Sequence, residues 1–245
     1  MIVCSDSFLL LPMKLHVLRT VVLSFACSAC VLADLPAPAP RLIEAAEEAI
    51  RRADIAKLDG WAFTVTTTEE GKKTVETHDP GADRDRRWTL VLKDGKPPTE
   101  KELRKYAEER RRARSKEQRL SSLVDKASLE LEGEDAERLT FRFRMKSDGD
   151  DAKLMAGKIR GTLVVRRDGP NVESLEIANT EKISKAGMFS LSEFQTRIRF
   201  RPAPERPESL IESVTARVRG RALLVKSLDA DTETTFSDFR WVGEP

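Results

Sequence analysis

From Trp61 to Trp241 the chain returns again and again to a two-residue hydrophobic period, which restricts it to a sheet with one apolar and one polar face. The clearest stretch places Leu139, Phe141, Phe143 and Met145 on one side and Arg138, Thr140, Arg142, Arg144 and Lys146 on the other. The same alternation runs through Trp61, Phe63 and Val65, through Trp88, Leu90 and Leu92, and through Ile159, Gly161, Leu163 and Val165. Leu175 and Ile177, then Val214, Ala216 and Val218, Leu223 and Val225, and finally Phe239 and Trp241 mark further strands.

Turn residues punctuate these runs: Glu70-Gly71, Asp79-Pro80-Gly81, Asp94-Gly95, Asp168-Gly169-Pro170, a reversal at Gly220, and Asp229 to Asp231. Between Met188 and Arg201 the apolar residues change parity. Phe189 and Leu191 are odd, whereas Phe194, Ile198 and Phe200 are even, which predicts a bulge or turn near Ser192-Glu193.

Two helices interrupt the pattern. Leu42, Ala46, Ala49, Ile50, Ala53 and Ala56 share one face of a helix over residues 41–58, and their small size lets it lie close against a sheet. A second helix starts at Thr99, where Glu102 three residues on completes a capping box. Over residues 100–119 it carries nine Lys/Arg and five Glu, leaving only Leu103, Tyr106, Ala107 and Ala113 to pack, so most of it should be solvated. Leu120, Leu123 and Val124 then provide a short docking segment.

The expected fold is mainly β (α+β): a curved antiparallel sheet, or half-open β-barrel, of about ten strands with two covering helices. It forms one domain over residues 41–245 with a helical insertion at 99–126. An outer-membrane barrel is excluded by Arg142, Arg144, Arg197, Arg199, Arg217 and Arg219, which would face lipid at a cost of about 2–4 kcal/mol each near the midplane.

The first 33 residues read differently. Met13 to Arg19 is a short positive segment, Val21 to Leu32 an apolar and small-residue run, and Val31-Leu32-Ala33 a cleavage site, so a secretory signal peptide cleaved after Ala33 is expected. Cys4, Cys27 and Cys30 all lie within it. The expected mature chain therefore has no thiol, and neither Cys27 nor Cys30 has the preceding leucine of a lipidation motif. Residues 34–40, DLPAPAP, form a Pro/Ala linker. Export of the mature chain is therefore expected.

Little in the mature chain points to catalysis. His78 is its one histidine and falls in a charged turn where solvation is expected. The phosphate-binding, dinucleotide-binding and zinc-protease motifs are missing. Asp148, Asp150 and Asp151 lack the closing glutamate of a calcium loop, so no metal and no cofactor are expected.

Net charge is +2, and basic character is local rather than global. Arg110, Arg111, Arg112 and Arg114 form an anionic-surface contact candidate on the second helix, each worth about 1 kcal/mol at a charged surface. The strand arginines are expected to pair with Glu130, Glu132, Glu173, Glu176 and Glu212 instead. Export and the lack of aromatics among the arginines argue against nucleic acid. On the inward face Phe63, Phe141, Phe143, Met145, Phe189, Phe194 and Phe200 are the candidate cavity-lining residues for a lipid or acyl chain.

With TVTTTEEGKKTVETHDPG, RWTLVLKDGKPPTEKELRKY and the closing DFRWV, the chain resembles uncharacterised exported proteobacterial proteins whose architecture is similar to that of the Lol-type lipoprotein carriers. That resemblance implies a half-open barrel closed by helices over an apolar cavity. The expected function is a periplasmic, non-enzymatic binding protein for a lipid, acyl chain or other hydrophobic ligand. The alternative is an envelope scaffold or interaction protein using the basic helix, with a filled core and no ligand.

Overall fold

The computed structural model describes residues 40–113, 120–146, 157–185, 189–222 and 226–243. The expected signal peptide, nearly all of the linker, Arg114 and the Asp148 to Asp151 run lie outside the described residues. Helix α1 (Pro40–Arg52) and a 3-10 turn (Ile55–Gly60) lead into β1 (Trp61–Glu69), β2 (Lys72–His78) and β3 (Trp88–Lys93). Helices α2 (Glu100–Ala113) and α3 (Leu120–Leu123) follow. The chain then runs through β4 (Val124–Glu134), β5 (Arg138–Met145), β6 (Ile159–Arg166), β7 (Val172–Asn179) and β8 (Ile183–Lys185). The last strands are β9 (Phe189–Pro202), β10 (Ser209–Ala222), β11 (Lys226–Ser227) and β12 (Ala230–Trp241).

All the strands join one antiparallel sheet in the order β3-β2-β1-β12-β10-β9-β7-β6-β5-β4, with β8 added to β9 and β11 to β10. The sheet is curved and unclosed, with β3 and β4 as its edges. The expected half-open β architecture with few helices is what forms.

Local chemistry explains most of the turns. Glu70 and Gly71 have φ of 49° and 78°, and Asp94 and Gly95 have 49° and 76°; two successive positive values give the turn whose twist matches paired strands. The long-range step is the pairing of β1 with β12, from Trp61 opposite Trp241 to Glu69 opposite Thr232, which ties the first hairpin to the last strand.

Bulges supply curvature. Glu193 pairs with Arg219 and Leu191 with Gly220, so Ser192 is the extra residue at the parity change. Gly220 itself is not a reversal, as expected from sequence, but a position inside β10. A Cβ there would lie 2.5 Å from the Ser190 carbonyl oxygen, so the bulge, not a turn, requires the glycine.

Helix α1 covers the inner face of the sheet on the β7 side. Ala46, Ala49 and Ile50 are wholly buried in one core with Leu120, Phe141, Phe143, Leu163, Leu175, Ile198 and Phe200. Pro40 suits the first helical position, where its missing N–H has no intrahelical partner anyway. The helix stops at Arg52 rather than near residue 58. Asp54 leaves the helical path and accepts a hydrogen bond from Ser121 Oγ at 3.0 Å, fastening the helix exit to α3. The helical insertion is likewise shorter than expected. Val124 already pairs with Met145 as the first residue of β4, and it is fully buried.

The outer face is polar and internally paired. Arg142 reaches Glu130 at 2.5 Å, Arg138 reaches Glu173 at 2.8 Å, Arg197 pairs with Glu176, and Arg219 reaches Asp231 at 2.5 Å. Such exposed pairs contribute about 0–1 kcal/mol each. Their effect is to neutralise the strand arginines rather than to hold the fold.

Candidate functional site: a polar seam beneath helix α2

Helix α2 begins as its sequence dictates. The Thr99 backbone N–H donates to Glu102 Oε2 at 2.9 Å, and the Glu102 N–H lies 3.4 Å from Thr99 Oγ1. Lys93 Nζ donates to the other Glu102 oxygen at 2.8 Å, linking the helix start to the end of β3. Together, the Lys93 ammonium first and then the Thr99 donors hold the Glu102 carboxyl down at about 2.

What the helix turns toward the sheet is unexpected. Leu103, its largest aliphatic side chain, is 40% exposed, and Ala107 is exposed as well. The covered stripe is Glu102, Tyr106, Glu109 and Arg110, at helical spacing but almost entirely polar.

Arg110 is the centre of this seam. It is 7% exposed, so it is not the anionic-surface contact expected from sequence. One helical turn beyond Tyr106, it faces the sheet, while Arg111 and Arg112, rotated away by the helical period, are exposed. Its Nη2 donates to Glu76 Oε1 at 2.7 Å, its Nε donates to Tyr106 Oη at 3.0 Å, and its guanidinium carbon lies 4.0 Å from the Trp88 ring centre. Arg110 Nη1 is buried without an acceptor. Burial raises the Tyr106 hydroxyl well above the ordinary tyrosine value, and the Glu76 carboxylate adds to the effect.

Register explains why these groups meet. In β1 and β2, Val65 opposes Glu76 and Phe63 opposes His78; in β2 and β3, Glu76 opposes Leu90 and His78 opposes Trp88. Glu76 and His78 therefore lie on the inner face with Phe63, Leu90 and Trp88. His78, expected in a solvated turn, is instead 6% exposed at the end of β2. Its Nδ1 donates to the Trp61 carbonyl oxygen at 2.9 Å, and its ring lies 4.9 Å from Phe63 and 4.8 Å from Trp88. Burial pushes its pKa below the usual histidine value.

An aromatic track continues from there. Phe63 lies 5.6 Å from Trp88 and 5.3 Å from Phe239; Phe239 lies 6.2 Å from Trp61, and Trp61 lies 5.4 Å from Trp241. Asp238, with φ of 55°, allows this arrangement by inserting an extra residue into β12, so that Phe236 and Phe239 both reach the inner face. Trp88, Phe239 and Trp241 are half-buried, whereas Trp61 and Phe63 are buried.

The seven expected cavity residues are placed unevenly. Phe63, Phe141, Phe143 and Phe200 are buried in one core, with Met145 and Phe194 partly buried against it. Phe189, at the far end of β9, is half-buried and outside that group. Phe141 and Phe143 pack in the half filled by α1, and Phe63 alone of the seven lies on the aromatic track. An open depression of about 490 Å³ lies elsewhere, lined by Thr68, Gln195, Thr215, Arg217, Asp231 and Glu233 among others. None of the seven touches it, and its arginine is already paired with Asp231 at 3.2 Å.

Two sequence signals for this site were present but ambiguous. His78 immediately follows the polar run Lys72 to Thr77 and Trp88 opens the next apolar run, and Arg110 stands four residues after the helix's one tyrosine. No group of three or more metal-ligating side chains occurs among the described residues, and no described helix is long and apolar enough to cross a membrane. No protein-family model, curated protein or solved structure matches the chain.

Proposed function

We propose that the protein is a periplasmic binding protein without catalytic activity, sheltering an acyl chain or another hydrophobic ligand on the inner face under α2. The observation that carries this reading is the Arg110–Glu76 pair at 2.7 Å, which holds a helix with a polar seam over an aromatic surface. An apolar seam would bind such a helix firmly. A buried ion pair adds little net stability because desolvation offsets its attraction, yet it specifies one docked position. The helix is thus a cover that is well placed but loosely held. The expected export signal and the Lol-type resemblance agree with this role.

The test is native mass spectrometry of the gently purified mature protein together with uptake of a fluorescent acyl probe. Bound lipid or saturable uptake is expected. A protein that comes off its column empty and also ignores the probe would overturn the reading.

A second reading, an envelope scaffold, is favoured by Leu103 standing exposed beside the exposed Lys101, Arg104 and Arg111. On that reading, replacing Arg104 and Arg111 with glutamine abolishes partner capture and leaves probe uptake unchanged.

A further inference from the structure

Two buried donors without an acceptor flank the middle of the aromatic track. On one side Arg110 Nη1, on a residue 7% exposed, donates to nothing; on the other the Trp61 Nε1 indole N–H does the same, on a residue 4% exposed. Between them run Trp88, Phe63 and Phe239, with neighbouring ring centres 5.3 to 6.2 Å apart. Buried donors are nearly always satisfied, and a donor left without an acceptor is costly. Two such donors flank one packed aromatic run whose half-buried members are Trp88 and Phe239, and they mark places where a bound molecule supplies oxygen.

The charge balance narrows what that oxygen belongs to. The guanidinium of Arg110 is already matched by the Glu76 carboxylate at 2.7 Å, and the Trp61 indole is neutral. A ligand carboxylate at Nη1 would meet Glu76 across the same guanidinium, two anions sharing one buried cation. An uncharged acceptor meets no such repulsion.

From the unpartnered Arg110 Nη1 and the neutralised arginine, we infer that the site takes an acyl ester or amide, its carbonyl oxygen accepting from Arg110 Nη1 and its chain lying along the half-buried Trp88 and Phe239. A free fatty acid is disfavoured. This rests on the proposed binding function and names the ligand class for it.

The experiment uses tryptophan quenching in the mature protein at pH 8 by three brominated probes of equal chain length: a methyl ester, the corresponding carboxylic acid and a bromoalkane. The ester is expected to bind about tenfold more tightly than the acid or the alkane, one satisfied donor being worth about that factor. In Glu76→Gln, which leaves the arginine charge unmatched, the order is expected to reverse so that the acid binds best. In Arg110→Met the ester is expected to lose its advantage over the alkane, and near-ultraviolet circular dichroism confirms that each variant has folded. Quenching by none of the three probes in the unaltered protein overturns the binding function itself. Quenching by all three without ester preference, or with preference for the acid, overturns the ester inference and leaves the binding function standing. If Glu76→Gln does not fold, the comparison of ester with acid in the unaltered protein still decides.

Discussion

Arg110 and Glu76 stand 34 positions apart in the chain and meet at 2.7 Å beneath α2, with side chains 8% and 11% exposed. Replacing either alone, as Arg110→Met or Glu76→Leu, strands the other charge at a cost of about 3–5 kcal/mol if it stays buried. Lifting of α2 would return the stranded charge to water, so each single variant is expected to release α2. Limited trypsin digestion reads this directly, because Lys101, Arg104 and Lys105 lie on the released segment. Faster cleavage there is expected in both single variants, with protection returning in the double variant. Equal cleavage in all four proteins would show that the pair does not hold the helix.

His78 gives the fold a pH dependence of known sign. Burial lowers its pKa below the ordinary 6.5, so the folded chain takes up a proton less readily than the unfolded chain. The stabilisation from its neutral ring is complete above pH 6.5 and is lost as pH falls below that value. Urea midpoints measured between pH 5 and 8 are expected to rise with pH up to about 6.5 and to level off above it. His78→Gln should flatten that rise, since glutamine keeps a donor for the Trp61 carbonyl without titrating. An unchanged slope in the variant would assign the pH dependence to another group.

The start of α2 combines two local devices whose loss is separable. Thr99→Ala removes the cap and is expected to cost about 1 kcal/mol of helix stability. The Glu102 carboxyl is held down at about 2, so its contribution is present above pH 4.5 and disappears as pH falls toward 2. Protection factors of the amides at residues 100–103, taken against the intrinsic exchange rate at each pH, are expected to fall over that range and to do so less in Lys93→Met, which lacks the cation. Salt should weaken the effect because the pair faces solvent.

These features differ in how readily the sequence discloses them. The Thr99–Glu102 box, the Glu70-Gly71 and Asp94-Gly95 turns and the alternation through Met145 are legible because each depends on residues within a few positions. Even the extra residue at Ser192 follows from the parity of Phe189 and Phe194. Pairing of β1 with β12 is not legible, since nothing local in Trp61 to Glu69 names a partner that starts over 160 residues later. Gly220 misleads because a glycine opposite a bulge resembles a glycine in a turn. Arg110 misleads more seriously. An arginine can cover an aromatic ring with its planar cation, so counting aliphatic residues hid the side of α2 that meets the sheet. The inner aromatic cluster is therefore legible through Phe63 and hidden at His78, Glu76 and Arg110.

Gly161 tests how tightly the half of the sheet under α1 is filled. It pairs with Phe143 across β5 and β6, and a Cβ placed on it would come within 2.1 Å of the Phe143 ring. Phe143 is 1% exposed in the same core as Ala46 and Ile50, so its ring has little room to retreat. Gly161→Ala is expected to lower stability by about 1–3 kcal/mol through overpacking. Phe143→Leu alone should also destabilise, by removing buried ring area, but combined with Gly161→Ala it should cost less than the sum of the two. Urea unfolding of the four proteins measures this coupling. Strict additivity would mean that the ring moves aside freely and that the core under α1 is looser than its burial indicates.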